Sequence, residues 1–327
     1  YNIKNTIGYK KLDSYNNCVF KLEDASDYLE SLGDIIQQEI EDSNNVISKN
    51  TELIKINMLP NNKFKLTLNK SNNIEEIYCN NIFLNLGGEI NYNYLLSNYP
   101  ELNTQKHKIV EGIYFLNKNN NENIDYNIVS IIGNSFTAWC IVIYLLEKKP
   151  SCSINIIYRT PTKLFFHSVE DALNENYEFD LKNDVCSLSG RVNRYSGLRG
   201  VHKELASDVL KSKINNIKLV KYGDHKEILE KSDKIYTSSG FKAKVPPIYN
   251  ENNTLIELDC EENKSYTFID NLNPQYNNKI IKNIFMFGLG AGLKVNNNIG
   301  GEKSYKNRVD GVWLYQFDIG TYVRQIL

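Results

Sequence analysis

Residues 128–138 read Ile-Val-Ser-Ile-Ile-Gly-Asn-Ser-Phe-Thr-Ala, and an apolar helical pattern follows from Trp139 to Leu146. A short apolar run that ends on glycine and passes at once into a helix is the pattern of a strand, a phosphate-binding turn and a helix. Gly133 supplies the sharp bend. Ser135 stands where G-x-G-x-x-G/A carries its second glycine, and it is small enough for the backbone of Asn134, Phe136 and Thr137 to approach a pyrophosphate. Ala138 at the third position lets the helix pack close to the strand. The helix N-terminus adds unpaired N–H groups and a partial positive charge. A long N-terminal stretch precedes this turn and does not read as a domain of its own.

The residues after the turn bear on which dinucleotide it would hold. A second strand, Ser153–Tyr158, leads into Arg159-Thr160-Pro161, with Lys163 close by. An NAD site usually places an acid at this strand end, for the ribose 2′-hydroxyl. A guanidinium there can pair with a 2′-phosphate instead, which favours NADP. Residues 190–203 are basic and glycine-rich, with Arg191, Arg194, Arg199 and His202. They can clamp a cofactor phosphate or an acidic substrate, or they can be a solvated connection between two elements. His167 sits beside the aromatic run Leu164-Phe165-Phe166 and is assigned no role.

Further elements flank this unit. Tyr28, Leu29, Leu32, Ile35, Ile36 and Ile40 predict an amphipathic helix over 26–40. Strands are expected at 52–57 and 63–68, turning at Asn61-Asn62. The run 82–86 ends in Gly87-Gly88, the run 234–241 carries Gly240, and Ile284-Phe285-Met286-Phe287 enters Gly288-Leu289-Gly290-Ala291-Gly292. A helix is expected from Gly311 to Ile326. The Asn clusters at 117–123 and 296–298 read as surface loops.

Composition narrows the function classes. A chain of 327 residues with 41% hydrophobic and 24% charged residues is long enough for two cores. The net charge of −1 gives no electrostatic case for nucleic acid or a membrane surface, which leaves a small-molecule substrate as the expected partner. No run of apolar residues is long enough to span a bilayer. Six scattered cysteines show no C-x-x-C pair, and four dispersed histidines show no metal spacing. A reducing, cytoplasmic setting and no metal are expected.

The order of these motifs resembles that of the two-dinucleotide-binding-domain flavoproteins, and most of all the flavin-containing monooxygenases and the lysine and ornithine N-hydroxylases. In that family an NADPH domain interrupts an FAD domain. The helix with Tyr28-Leu29, the meander at 52–68 and the strand into Gly87-Gly88 resemble the later part of an FAD domain. Residues 128–138 resemble the NADPH turn. Thr237-Ser238-Ser239-Gly240-Phe241 resembles the Ala-Thr-Gly linker strand, with Ser239 at the Thr place. Phe287 through Gly292 resembles the second FAD segment. Glu111–Tyr114 lies where the hydroxylases carry a short signature, and matches it poorly. The family opens with a G-x-G-x-x-G for the FAD pyrophosphate that this chain does not show before Gly87, so either the chain is a fragment lacking that unit, which is the expectation, or FAD is not held in the usual way.

The resemblance implies an α/β fold in which a Rossmann-like NADP domain, residues 106–250, is inserted into a split FAD domain, residues 1–105 and 251–327. It implies FAD and NADP as cofactors and Gly87, Gly240, Gly288, Gly290 and Gly292 as flavin-side glycines. Residues 52–87 and 284–327 should then share one sheet system. The implied activity is NADPH-dependent flavin oxidoreduction, with monooxygenation as one form. A reductase without oxygen insertion and a non-catalytic binding protein are the alternatives. No side chain is marked out as a catalytic acid or base.

Overall fold

The computed structural model describes residues 3–14, 22–90, 92–116, 124–260, 269–270, 272–288 and 290–309. The expected loop at 117–123, Leu289 and the expected helix from Gly311 lie outside them. The chain divides into two compact units, residues 1–57 with 65–78, and residues 58–64 with 79–327.

The first unit carries α1 (Ile7–Asp13), α2 (Leu22–Asp42) and, apart from residues 58–64 and 79, the strands β1 (Thr51–Leu59), β2 (Lys63–Lys70) and β3 (Asn73–Cys79). In α2 the side chains of Tyr28, Leu32, Ile35 and Ile40 are half-buried while Glu30, Asp34 and Gln38 face solvent, in keeping with the 3.6-residue period, but Leu29 and Ile36 of the expected apolar face are exposed. α1 approaches α2 at Gly8, where a Cβ would lie 2.7 Å from the Asp27 carbonyl oxygen and the Tyr28 Cα. The tip between β1 and β2 places Asn61 and Asn62 at φ +63° and +56°, a left-handed conformation that asparagine tolerates and a tight hairpin needs. β3 was not expected from the sequence. Residues 73–78 are exposed along its whole length, so no alternation of apolar and polar positions marks it.

The second unit opens with β4 (Ile82–Leu84), β5 (Gly88–Ile90) and α3 (Tyr92–Asn98). Next come β6 (Ile109–Glu111), α4 (Gly112–Phe115), β7 (Ile128–Ile132), α5 (Phe136–Lys148), β8 (Ser153–Tyr158) and α6 (Val169–Asn174). α7 (Gly200–Leu210), β9 (Ile217–Lys221), α8 (Lys226–Lys231) and β10 (Lys234–Thr237) follow. Strands β6-β10-β7-β8-β9 form one sheet in that order, all parallel. Counted from β7, its order is 3-2-1-4, that of a dinucleotide-binding sheet, and the order reverses between β7 and β10.

Both faces of this sheet are covered, which is why its strands read as nearly unbroken apolar runs. Val129, Ile131, Ile154, Ile156 and Tyr236 pack with Trp139, Val142 and Leu145 of α5. Ile132, Ile157, Val220 and Ile235 pack on the opposite side with Leu95, Tyr99, Leu102 and Leu229. The polar exception in β7, Ser130, is buried with its hydroxyl 2.7 Å from that of Ser232.

The remaining strands are short: β11 (Phe241–Ala243), the hairpin β12 (Ile248–Tyr249) and β13 (Leu255–Ile256), the meander β14 (Ile269–Asp270), β15 (Asn273–Tyr276) and β16 (Lys279–Ile280), and β17 (Ile284–Met286). β17 pairs parallel with β4, and β11 pairs antiparallel with β5. Residues 82–84 therefore share a sheet with 284–286, whereas β1, β2 and β3 belong to a different sheet. The run 234–241 is not one strand. It breaks between Thr237 and Phe241, where Gly240 takes φ +88° and sends β11 to a new partner.

Among the described residues no helix is long and apolar enough to cross a membrane, and no group of His, Cys, Asp and Glu has metal-binding geometry.

Candidate functional site

The turn after β7 lies at the C-terminal end of the parallel sheet, at the point where the strand order reverses. Open α/β sheets bind their ligands there. Gly133 has φ +118°, and a Cβ on it would lie 2.2 Å from the Ser238 carbonyl oxygen. The glycine is thus demanded twice, by conformation and by the passage of the chain that leaves β10. The turn is locked on both sides: Gly133 N–H donates to Ile157 O (3.0 Å), and Ser238 N–H donates to Ile132 O (2.7 Å).

Ser135 is the N-cap of α5 and is exposed, with extended backbone and no side-chain hydrogen bond to the helix. The first-turn amides of Phe136 and Thr137 are therefore left for a ligand, in the geometry an anion requires. Asn134 does something different with its side chain. Its amide donates to Thr160 O (3.2 Å) and Thr162 Oγ1 (3.0 Å), and its carbonyl oxygen accepts from Trp139 Nε1 (3.1 Å). It ties the turn to the end of β8, so any contact with a ligand falls to its backbone. Ala138 is fully buried, at the foot of α5 in the core shared with Val129 and Ile131. Arg159 and Thr160 are exposed at the C-terminal end of β8, beside the turn through the Asn134–Thr160 bond.

A second convergence lies among the glycines. β4 and β17 run parallel, so the segments after them, Asn85–Gly88 and Phe287–Gly290, leave the sheet at the same end. Gly88 of β5 is paired with Ala243 of β11. A Cβ on Gly290 would lie 2.3 Å from Ala243 N and 2.4 Å from the Lys242 carbonyl carbon, and one on Gly288 would lie 2.2 Å from Asn85 Oδ1. Lys244 N–H donates to Gly87 O (3.1 Å). The glycine turns around 87, 240 and 288–290 thus surround one short ribbon. Gly292 has φ +99° and continues that loop. Phe83 stacks on Phe285 with ring centroids 5.1 Å apart, on strands that carry two of these turns. Segment 238–243 connects this ribbon to Gly133, since Ser238 is the residue that Gly133 accommodates.

The basic segment 190–203 is held in place by the C-terminal part of the chain. Glu302 is fully buried, and its carboxylate accepts from Tyr195 N–H (3.0 Å), Ser196 N–H (2.8 Å) and Ser196 Oγ (2.7 Å). Arg194 donates to Ile299 O (3.1 Å). Arg199 donates to the carbonyls of Gly197 and Arg194 and lies 4.1 Å over the Phe165 ring. Burial lowers the pKa of Arg199, with Arg191 and Arg194 adding to the effect and Glu302 opposing it. Lys163 is held by Asp184 (2.7 Å) and Ser304 (2.6 Å). Burial works against ionisation of Asp184, but hydrogen bonds from Lys163, Ser304 and the Asp180 amide outweigh it and keep its carboxyl below the usual range. A ligand contact by Lys163 would require breaking this ion pair.

The packing roles of Gly112 and Ser238, which lie in segments the sequence marked, and the whole role of Glu302 were not visible in the sequence. A Cβ on Gly112 would lie 2.6 Å from Ile141 Cδ1 and 2.9 Å from Thr237 O, so α4 can meet α5 and β10 only through glycine. Ser238 and Glu302 act through backbone partners far along the chain. Only an isolated glycine in a short apolar run hinted at the first.

No protein-family model matches the chain. It is 30% identical over 215 residues to the CMP-5′-(3-aminopropyl)phosphonate hydroxylase of Streptomyces rubellomurinus, a match covering 61% of this chain and 49% of that protein. The chain therefore spans about half the length of the curated relative it matches. Among solved structures it is similar to the ornithine N-hydroxylase of Kutzneria sp. 744, solved with reduced FAD, NADP+ and L-ornithine. The TM-score is 0.50 at 12% identity, covering 96% of this chain and 79% of that one. It is also similar to an ornithine hydroxylase of Pseudomonas aeruginosa, with a TM-score of 0.47 at 12% identity over 87% and 74% of the two chains. With the 3-2-1-4 parallel sheet and the β4–β17 pair, the first of these likenesses shows the fold: an α/β chain with a Rossmann-like parallel sheet, arranged like that ornithine N-hydroxylase.

Proposed function

We propose that this protein is an FAD-dependent monooxygenase that uses NADPH and hydroxylates the nitrogen of a primary amine. The observation that carries the reading is the path from Gly133 through Ser238 to the β5–β11 ribbon, which joins a dinucleotide turn to a convergence of glycine turns. The 106–250 region is read as the NADP domain, and 1–105 with 251–327 as two parts of the FAD domain. The backbone of 133–138 would hold the NADPH pyrophosphate, with Arg159 and Thr160 at the 2′-phosphate. Gly87, Gly240, Gly288, Gly290 and Gly292 would let backbone approach the flavin with no Cβ in the way. The chain would hold and orient both cofactors and control access of water, and a bound flavin would supply the oxygen chemistry.

The curated relative is named for a nucleotide-linked aminophosphonate, and the same substrate class is proposed here: a primary amine carried on a cytidylyl phosphonate. The described cysteines are all free thiols, which suits the reducing cytosol proposed as its setting.

Arg159→Ala tests the cofactor choice. Loss of a charge-assisted bond to the 2′-phosphate is expected to weaken NADPH binding by about 1.5–3 kcal/mol, roughly ten- to hundredfold, with NADH nearly unaffected. Equal losses for both dinucleotides, measured by titration, would remove Arg159 from this role. For the reaction, oxygen- and NADPH-dependent conversion of an amine to a hydroxylamine is the expected result. Hydrogen peroxide without any hydroxylamine would point to a reductase instead.

A further inference from the structure

A cavity of about 630 Å³ opens in the second unit between residues 165–167, α6 and the chain entering α7. Its volume lies within the roughly 300–1,000 Å³ usual for small-molecule pockets. Its floor is aromatic, from Phe165 and Phe166. Arg199 lies over the first ring, and Lys203 lies 3.7 Å over the second while pairing with Glu175 at 2.8 Å. These contacts account for two cations and one acid. They leave Arg191, Asp171 and Asn174, which line the same cavity and whose side chains make no hydrogen bond or ion pair among the described residues.

The chemistry of this remainder is specific. Arg191 offers a planar fork of donors that matches phosphoryl oxygens. α7 begins at Gly200 on the cavity wall with no side-chain cap, so its first amides and its positive end add to the anion site. Asp171 is an acceptor suited to an exocyclic amino group, as on cytosine. Asn174 brings both a donor and an acceptor for the neighbouring ring positions. α7 also separates this cavity from the dinucleotide turn. Lys203 lines the cavity, whereas His202 packs on Phe136 at the start of α5, with ring centroids 4.2 Å apart.

We propose that this cavity holds the pyrimidine nucleoside monophosphate part of the substrate, with Arg191 on the phosphoryl group and Asp171 and Asn174 on the amino-bearing edge of the base. The proposal rests on the reading of the protein as a hydroxylase of nucleotide-linked amines. A phosphoryl group here could come from that substrate or from the 2′-phosphate of NADP, and the test separates the two sources.

The test is calorimetric titration of CMP, UMP and NADP+ against the wild-type chain, Arg191→Ala and Asp171→Asn. The wild type is expected to bind CMP more tightly than UMP. Arg191→Ala is expected to weaken CMP by about tenfold or more, and by a larger factor than NADP+. Asp171→Asn is expected to narrow the preference for CMP over UMP by about tenfold. A wild-type chain that binds NADP+ but not CMP would overturn the proposal. So would an Arg191→Ala variant that loses more affinity for NADP+ than for CMP, since the cavity would then belong to the cofactor. Flavin reduction by NADPH in the wild type is read separately. Its failure would count against the flavoenzyme reading and leave the nucleotide titration standing on its own result.

Discussion

Gly133→Ala is expected to disrupt the turn after β7 and to abolish dinucleotide binding. At φ +118° an L side chain is strained, and the added Cβ would lie 2.2 Å from the Ser238 carbonyl oxygen. That carbonyl cannot easily retreat, because Ser238 N–H is bonded to Ile132 O at 2.7 Å and Gly133 N–H to Ile157 O at 3.0 Å. Backbone strain and overpacking together amount to about 2–6 kcal/mol, a large part of the stability of an ordinary domain. A denaturant titration should show the loss, and NADPH titration of whatever remains folded should show no binding. Ala138→Trp should act in the same direction, because Ala138 is fully buried where α5 meets the sheet. Unchanged stability and NADPH affinity in both variants would remove the turn from the account.

Ser135→Asp is expected to separate folding from binding. Aspartate is as good an N-cap as serine, and its charge is favourable at a helix N-terminus by about 0.3–1 kcal/mol. The variant should therefore be at least as stable as the wild type. The same carboxylate would occupy the place of the pyrophosphate and compete for the amides of Phe136 and Thr137. NADPH and NADH should both lose about tenfold or more in affinity, in contrast to the selective loss expected for Arg159→Ala. A stable Ser135→Asp variant with wild-type NADPH affinity would place the dinucleotide elsewhere.

The central βα unit was legible in the sequence because its signals are local. β7 is an apolar run, Gly133 punctuates it, α5 follows with buried apolar positions, and β8 spans 153–158 as expected. The Asn61-Asn62 turn was legible for the same reason, since a tight hairpin tip needs residues that tolerate positive φ. What stayed hidden depends on distant partners. The break between β10 and β11 is invisible in a continuous run of strand-forming residues, and it is set by the pairing of 241–243 with 88–90. The basic segment 190–203 left open whether it was a clamp or a solvated connection. Glu302, more than a hundred positions away, holds it through the amides of Tyr195 and Ser196. That clasp commits Arg194 and Arg199 to backbone carbonyls and leaves Arg191 facing the cavity. The partner of Lys163, Asp184, was also hidden, because it is recruited across a loop.

The central claim is that NADPH reduces a flavin held by this chain, and anaerobic mixing tests it most directly. The protein, supplied with FAD and freed of unbound flavin, is mixed with NADPH or NADH without oxygen while the flavin absorbance is followed. The account predicts retained yellow colour, bleaching by NADPH much faster than by NADH, and return of the colour when oxygen is admitted. Failure to retain FAD, or a retained flavin that NADPH leaves oxidised, would contradict it.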